Sequence, residues 1–569
     1  MANYLKILLI ISSIILISCS KGSDNGRQLE KAFTYSGLSD SDVKYRRMFD
    51  SIYINLAIEK SRYDEAINLF LRDINIISDK NLFKKITEVA IKNHRFLETK
   101  KITSRWLDIE EDSFLAHSYG IMASLEISDF DNANLLMNSY LSNIGPKGKS
   151  AYRRLMFSFL ENKNRLNVIS FFDNYLDNND DRLLAISYIE LLYSYNQLAK
   201  ALSYIDEVGV SNERNLVRLK SSALVSLNKL IPARDILISY LSFANNSDRQ
   251  IQFELMRIHL MLDDMTSTKL LIKDMMERDP DNKDLIFQIS RELYVNDKYD
   301  ISEKYLSMIV IDSDQIAYLR GLIDLKKENY MEAIEHFDRV SGFNIKIEAQ
   351  ISKAEALKKY SGIKSAVQSL DQLESSYSSQ ETKLRILLAK ISLYNKSKLY
   401  QEIINTTTSS LYRFDIKSDL LYARAMAYES LGDINLMEKD LLQILSIDKK
   451  NSNTLNALGY SLLIHTDRYD EAYEYIIEAY TYDPGNAAII DSLAWALFKT
   501  NNYSEALGYA RTAYSKDQDP EIVEHYCEIL IKNGLTEEYK RIIEIEFKKN
   551  PQNIDLKNKL TSINDNDPL

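Results

Sequence analysis

Residues 455–484 read LNALGYSLLIHTDRYDEAYEYIIEAYTYDP, and residues 489–520 read IIDSLAWALFKTNNYSEALGYARTAYSKDQDP. The two segments align on Tyr469 and Tyr503, at an offset of 34 residues. In the first segment, a glycine early and an alanine later are small enough for two antiparallel helices to approach each other closely. Proline ends the segment, as expected where a helix stops, because proline cannot continue the helical hydrogen-bond ladder. Each segment is therefore predicted to be one pair of antiparallel helices.

The same frame extends upstream through most of the chain. Each unit can be anchored on the residue predicted to open its second helix, and these anchors recur about every 34 residues. The anchors are Tyr63, Phe96, Phe130, Leu166, Leu198, Leu230, Met265, Tyr299, Tyr330, Ile363, Tyr400, Ile434, Tyr469, Tyr503 and Thr536. Three residues after the anchor, most units carry a small residue, as at Ala66, Ala133, Ala201, Ala233, Ala333, Ala366, Ala472 and Ala506. Ile169 departs from this rule, and its larger side chain is expected to push its two helices apart.

This unit resembles the tetratricopeptide repeat. Leu458 and Gly459 match the Leu-Gly pair of that family, and Ala472, Ala479 and Pro484 match its later positions. The resemblance implies an all-α, tetratricopeptide-like helical-repeat solenoid of about 15 helix pairs. Stacked neighbours supply the core, because one pair cannot bury its apolar face alone. Another helical-repeat family and a non-repetitive helical bundle remain as alternatives.

Composition agrees with an all-helical fold and limits the function. The chain has 569 residues but only 15 Gly and 7 Pro, too few for the many tight turns of a β-sandwich or barrel. Hydrophobic residues make up 45%, which is enough to bury a sizeable core. The net charge of −11 disfavours nucleic acid as a partner, because binding phosphates requires a basic face.

The N-terminus carries a targeting signal. Lys6 precedes an apolar stretch at residues 7–17 that is too short to span a bilayer comfortably. The string that ends at Ser18 and Cys19 resembles the bacterial lipobox, which implies cleavage between these two residues and a diacylglycerol on the Cys19 thiol. An ordinary signal peptide and an uncleaved signal anchor are the alternatives. By the sorting rule of such lipoproteins, Ser20 favours the outer membrane, facing the periplasm, over the inner membrane.

These signals divide the chain into four parts. Residues 1–18 are the predicted lipoprotein signal peptide, and residues 19–40 are predicted to be a tether with a capping helix. The repeat array is predicted for residues 41–555, with its most typical units at residues 452–520. Residues 556–569 are expected to form a flexible tail.

No catalytic or metal-binding pattern stands out. The six histidines are scattered singly, without metal-ligand spacing, and each is expected to be a surface or packed residue: His94, His117, His259, His336, His465 and His525. No phosphate-binding glycine loop or nucleophile elbow is present. With Cys19 predicted to be lipidated, Cys527 is left as an expected buried apolar residue. The chain is therefore predicted not to be an enzyme and to need no cofactor or metal.

What remains is a binding surface. In the tetratricopeptide family the first helices of successive units line a concave face, which here implies the possible groove residues Phe253, Arg257, Phe287, Arg291, Tyr318, Tyr422, Asn456, Tyr460, Asp491 and Trp495. The alternative for each is a core position. Arg257 and Arg291 are expected to attract an acidic segment of a partner, unless each pairs with a nearby acid such as Asp263, Asp264 or Glu292.

Three functions fit these observations. The leading one is a lipid-anchored scaffold of the bacterial cell envelope that binds protein partners, in envelope assembly or secretion. The second is a receptor that captures glycan or peptide ligands, for which the 37 tyrosines are the only hint. The third is a regulatory or catalytic protein whose site is not recognisable in sequence.

Overall fold

The computed structural model is all-helical. It contains 30 helices and no strand within the residues that it describes. The described residues are 40–75, 77–144, 148–160, 162, 164–209, 213–245, 247–310, 313–414, 417–549 and 553. Cys19 and the predicted tail at 556–569 lie outside them. None of the described helices is long and apolar enough to cross a membrane.

The chain divides into two compact units, the first ending at Glu277 and the second beginning at Arg278. The first unit holds α1 (Asp40–Glu59), α2 (Tyr63–Arg72), α3 (Lys80–Lys92), α4 (Phe96–Ile109), α5 (Phe114–Glu126), α6 (Phe130–Ile144), α7 (Gly148–Ser158), α8 (Arg165–Asp177), α9 (Arg182–Ser194), α10 (Leu198–Val208), α11 (Arg214–Ser226), α12 (Leu230–Phe243), α13 (Arg249–Met261) and α14 (Met265–Arg278), which ends at the boundary.

The second unit continues the same alternation. Its helices are α15 (Lys283–Val295), α16 (Tyr299–Leu306), α17 (Asp314–Lys326), α18 (Tyr330–Asp338), α19 (Phe343–Ser361), α20 (Ile363–Ser375), α21 (Gln380–Lys396), α22 (Tyr400–Ser410), α23 (Ser418–Ser430), α24 (Ile434–Ile447), α25 (Ser452–His465), α26 (Tyr469–Tyr482), α27 (Ala487–Lys499), α28 (Tyr503–Lys516), α29 (Pro520–Lys532) and α30 (Thr536–Lys549). Odd-numbered helices are the first helices of their pairs, and even-numbered helices are the second.

The predicted anchors mark the second helices. Every anchor from Tyr63 to Thr536 is the first residue of an even-numbered helix, apart from Leu166, whose helix begins one residue earlier at Arg165. The shift follows from local capping, because the Asn164 side chain accepts a hydrogen bond from the Asn167 N–H at 3.3 Å. The predicted fold class, including its 15 helix pairs, is confirmed.

Small residues hold each pair together at the predicted positions. All eight alanines three residues after an anchor are fully buried. A Cβ added to Gly459 on α25 would lie 2.8 Å from the Ala472 carbonyl oxygen and 2.6 Å from Ile476 Cγ1, both on α26. Only glycine fits at this crossing, because real Cβ atoms essentially never approach other atoms this closely.

The unit that contains Ile169 is packed differently. Helix α7 packs against α9, whereas α8 contacts α5 and α9. Asn167 of α8 donates hydrogen bonds to the Leu125 carbonyl oxygen at 2.7 Å and to Ser128 Oγ at 2.9 Å, both at the end of α5. The second helix of this unit is therefore attached to the end of the preceding first helix.

The turn inside most pairs uses a left-handed residue. Two residues before the second helix, the backbone has positive φ at Ser61, His94, Ser128, Asn196, Asn228, Asp263, Asp297, Glu328, Lys398, Gly432, Asn501 and Gly534. The next N–H then bonds back to a carbonyl five residues earlier, as from Leu399 N to Tyr394 O at 3.0 Å. This Schellman geometry ends the first helix and turns the chain by a tight connection.

Within each unit the pairs form two layers. First helices contact their counterparts in neighbouring pairs, as in α17–α19, α19–α21, α25–α27 and α27–α29. In a curved stack of helix pairs, the layer with the closer contacts lies on the inside of the curve, where repeat proteins bind their ligands. We refer to the side of the first helices that faces away from the second helices as the inner face.

Candidate functional site

The inner face of the last pairs brings together four of the predicted residues. Asn456 and Tyr460 lie one helical turn apart on α25, and Asp491 and Trp495 lie one turn apart on α27. Helix α27 contacts both α25 and α29, so side chains of three successive first helices meet here.

Asp491 is the most buried acid of this group, with 4% of its surface exposed. Its Oδ2 lies 2.7 Å from Nδ1 of His525 on α29, whose N–H donates to the carboxylate. Burial raises the pKa of Asp491, and the hydrogen bond from His525 opposes that rise only in part. Its second oxygen, Oδ1, is buried and has no hydrogen-bond partner among the described residues.

Trp495 lies in an aromatic stack. Its ring is nearly parallel to His525, with centroids 4.0 Å apart, and to Phe498, with centroids 4.8 Å apart. The Lys499 Nζ atom lies 5.1 Å from the ring centroid, within range of a cation–π contact. Although the residue is buried, its indole Nε1 donates to no acceptor within the described part of the chain.

Tyr460 connects α25 to α29 across α27. Its hydroxyl donates a hydrogen bond to Glu521 Oε1 and lies 3.4 Å from His525 Nε2. Burial raises the pKa of Tyr460, and the hydrogen bond to Glu521 and the negative charges of Glu521, Asp491 and Glu429 raise it further. The phenol is therefore neutral and acts as a donor.

Asn456 completes the arrangement. It is half-buried on α25, and its Oδ1 is a buried acceptor for which the described residues supply no donor. We call the set Asn456, Tyr460, Asp491, Trp495, Glu521 and His525 the C-terminal cluster. In this cluster two buried acceptors and one buried donor have no partner among the described residues.

The geometry of the cluster favours binding over catalysis. An Asp–His pair can orient a general base, but the hydroxyl near the second ring nitrogen of His525 belongs to Tyr460, whose raised pKa makes it a poor nucleophile. No group of three or more potential metal ligands is found in the parts of the chain that the structure describes.

Sequence reasoning missed two members of the cluster. His525 was expected to be an ordinary packed or surface residue, and Glu521 was not singled out. His525 follows Asp491 by 34 residues, so carrying the groove positions one repeat further would have found it. Glu521 lies one helical turn before His525, and the residue one repeat earlier is Ala487, which was not a predicted groove residue, so the same step would not have found it.

The remaining predicted residues lie elsewhere. In the first unit, Phe253 of α13 is buried and belongs to the core, whereas Arg257 of the same helix is exposed. In the second unit, Phe287 is half-buried, and the exposed guanidinium of Arg291 lies 3.9 Å from Glu292 Oε1 on α15. Arg257 and Arg291 thus belong to different units, and their binding role stays a prediction.

Two predicted tyrosines are half-buried on first helices of the second unit. The Tyr318 ring of α17 lies 5.9 Å from Phe337 of the paired helix α18 and thus contributes to the packing of that pair. Burial raises the pKa of Tyr422 on α23, with a further contribution from Glu429, whose Oε1 accepts a hydrogen bond from Ser461 of α25. Tyr422 therefore lies next to the C-terminal cluster in chain order, on the first helix that precedes α25.

The chain is similar to known repeat proteins. A TPR repeat-containing protein of Pseudomonas aeruginosa is 30% identical over 210 residues, which are 37% of this chain and 35% of that protein. The match thus spans about a third of the relative's length. A tetratricopeptide repeat protein from Parabacteroides merdae, known from its crystal structure, is 14% identical with a TM-score of 0.34, over 44% of this chain and 98% of that one. No protein-family model matches the chain.

Proposed function

Since the chain is a tetratricopeptide-repeat protein, we propose that it is a scaffold that binds protein partners through the inner face of its helix pairs. The observation that supports this most directly is the C-terminal cluster, in which the described residues leave Asn456 Oδ1, Asp491 Oδ1 and Trp495 Nε1 without partners although all three atoms are buried. An extended polypeptide fits this demand, because its main chain offers donors and acceptors in alternation. Proteins of this repeat family are typically non-catalytic scaffolds.

The proposal includes a lipid anchor at Cys19 and a place in the bacterial cell envelope, in assembly or secretion. Its support is the lipobox-like string that ends at Cys19, and Ser20 favours the outer membrane. Two or three acyl chains give stable anchoring, whereas one chain binds reversibly. Labelling cells with an alkynyl fatty acid should mark the wild-type chain and leave Cys19→Ala unmarked. Equal labelling of the two would refute the anchor while leaving the binding proposal intact.

Capture of a glycan is the weaker candidate. Sugars commonly stack on an open aromatic ring, but the Trp495 ring is already stacked with His525 and Phe498. A sugar would have to displace one of these neighbours.

Photocrosslinking in the native membrane tests the binding proposal. A photoreactive phenylalanine analogue would replace Tyr460 or Tyr422 on the inner face, or Tyr482 on the second helix α26 as the control. Tyr482 is a tyrosine in the same unit with 41% of its surface exposed. A defined protein should crosslink from the inner positions and not from the control. No crosslinked protein above the control would refute binding through this face.

A further inference from the structure

We infer that the C-terminal cluster binds a basic segment of the protein partner, with one Lys or Arg side chain placed against Asp491 and Glu521. The inference rests on the proposed function and specifies the chemistry of the partner. It applies to the second unit and is independent of the acidic partner segment that the sequence predicted for Arg257 and Arg291.

The acidic excess of the chain is concentrated where the cluster lies. Residues 418–549 contain 23 Asp and Glu but 13 Lys and Arg, while the whole chain contains 82 and 71. Nearly all of the net negative charge is thus carried by the last helix pairs. A field of this sign attracts basic segments and repels acidic ones.

Neither carboxylate of the cluster has a Lys or Arg partner in the described part of the chain, whereas two glutamates on nearby second helices do. On the second helices, Glu438 is bound by both terminal nitrogens of Arg468 at 2.8 Å, and Glu538 by Arg511 at 2.5 and 3.1 Å. Within the described residues, the Asp491 carboxylate is bonded only to His525, and the Glu521 carboxylate accepts a hydrogen bond only from the Tyr460 hydroxyl. No described Lys or Arg forms an ion pair with either of them.

The unpaired atoms fit a basic side chain beside a main chain. Asp491 Oδ1 and Asn456 Oδ1 are acceptors, and an ammonium or guanidinium group brings three or five N–H donors and no acceptor. Asp491 is more than nine-tenths buried, where a charge-assisted hydrogen bond is strongest and a missing one is most costly. The Trp495 N–H can then donate to a main-chain carbonyl oxygen of the same segment. An acidic side chain would satisfy neither oxygen and would face Glu429 and Glu521 as well.

The test uses the full-length chain and three fluorescein-labelled ten-residue peptides, in which Ser alternates with Lys, Glu or Gln. The site variant combines Asp491→Asn with Glu521→Gln. The matched control combines Glu474→Gln with Glu505→Gln. It also removes two negative charges, but from exposed positions on the second helices α26 and α28. The Lys peptide should bind best, and its Kd should rise about tenfold or more in the site variant and less than about twofold in the control.

Equal weakening in both variants would mean that the overall field, and not the cluster, attracts the peptide, and would overturn the inference. Tighter binding of the Glu or Gln peptide would overturn it as well. Glu521→Gln alone guards against misfolding, because Glu521 is exposed, and it should weaken the Lys peptide without changing helicity. If a partner still crosslinks from Tyr460 but the Lys peptide does not compete with it, the scaffold function stands and the basic-segment inference fails.

Discussion

Asp248 is the N-cap of α13 and also the partner of Arg214 on α11. Its carboxylate accepts hydrogen bonds from the Ile251 N–H at 3.3 Å and from Arg214 Nε at 2.5 Å and Nη2 at 3.1 Å. The Arg214 guanidinium holds the pKa of Asp248 below its usual value, against the effect of partial burial. One carboxylate therefore joins the first helices of two successive pairs.

The stabilisation from this pair is expected to depend on pH. A carboxylate whose pKa is lowered by folding stabilises the fold above its unfolded pKa of about 3.9, and that contribution is lost as the pH falls through the folded pKa. Asp248→Asn should lower the opening free energy of α13 by about 0.5–1 kcal/mol at pH 7, an amount limited by the exposure of Arg214. Hydrogen exchange of the α13 amides at pH 7, 5 and 3 measures this opening free energy.

At pH 3 the difference between the wild type and Asp248→Asn should be largely gone. Asn is itself a good N-cap, so the substitution removes the charge and keeps the cap. Asp235→Asn is the control, because the Asp235 pair with Arg234 is exposed and should contribute little. A deficit in Asp248→Asn that persists unchanged at pH 3 would contradict the charge argument.

The close crossing of α25 and α26 predicts that one added methyl group at Gly459 destabilises the fold. Gly459→Ala places a Cβ against the backbone of α26, which cannot move without separating the pair. The cost should be about 1–3 kcal/mol. Gly508 on α28 has open space where its Cβ would be, so Gly508→Ala should instead stabilise by about 0.5–1 kcal/mol through helix propensity. Denaturant unfolding of both variants separates the effect of helix packing from that of helix propensity. A loss of stability in both variants would contradict the packing argument.

The turns inside the pairs offer a stabilising substitution. Lys398 has φ of 55° and Glu328 has φ of 65°, a conformation that costs a side chain other than glycine about 1–2 kcal/mol. Lys398→Gly and Glu328→Gly should each stabilise by about 0.5–1 kcal/mol after the entropic cost of glycine is subtracted. Asp467 occupies the same position in the α25–α26 turn without positive φ, so Asp467→Gly should give no gain. Thermal unfolding of the three variants is the measurement.

Elements were more predictable than side-chain contacts. Second helices could be located to the residue because Tyr469, Tyr503 and their counterparts recur in register, and only the Asn164 cap shifted one of them. The pairing of Asp491 with His525 and of Tyr460 with Glu521 could not be derived, because it depends on how three successive first helices lie against one another. The inner face was therefore predictable as a surface, whereas its hydrogen bonds depend on the three-dimensional packing of the first helices.

A destabilising substitution in one helix pair should unfold only that part of the repeat array. Ala472 is fully buried at the α25–α26 crossing, and Ala472→Leu should overpack this pair by about 1–3 kcal/mol. Since each pair contacts mainly its neighbours, loss of amide protection should be confined to α23–α28, and α15–α18 should keep theirs. Hydrogen exchange with mass spectrometry resolves these segments. Uniform loss from α15 to α30 would indicate a globular bundle instead.

The hydrogen bond from Tyr460 to Glu521 reaches past an entire helix pair. Repeat genes can grow and shrink by duplicating or deleting single repeats, and the 34-residue frame permits such an event without a break in register. Deleting the pair α27–α28 would keep that frame and the stacking of its neighbours, yet it would remove Asp491 and Trp495 and leave Tyr460 and Glu521 to meet in a different register. The C-terminal cluster therefore survives duplication or transfer only when the three pairs from α25 to α30 are copied together as one block.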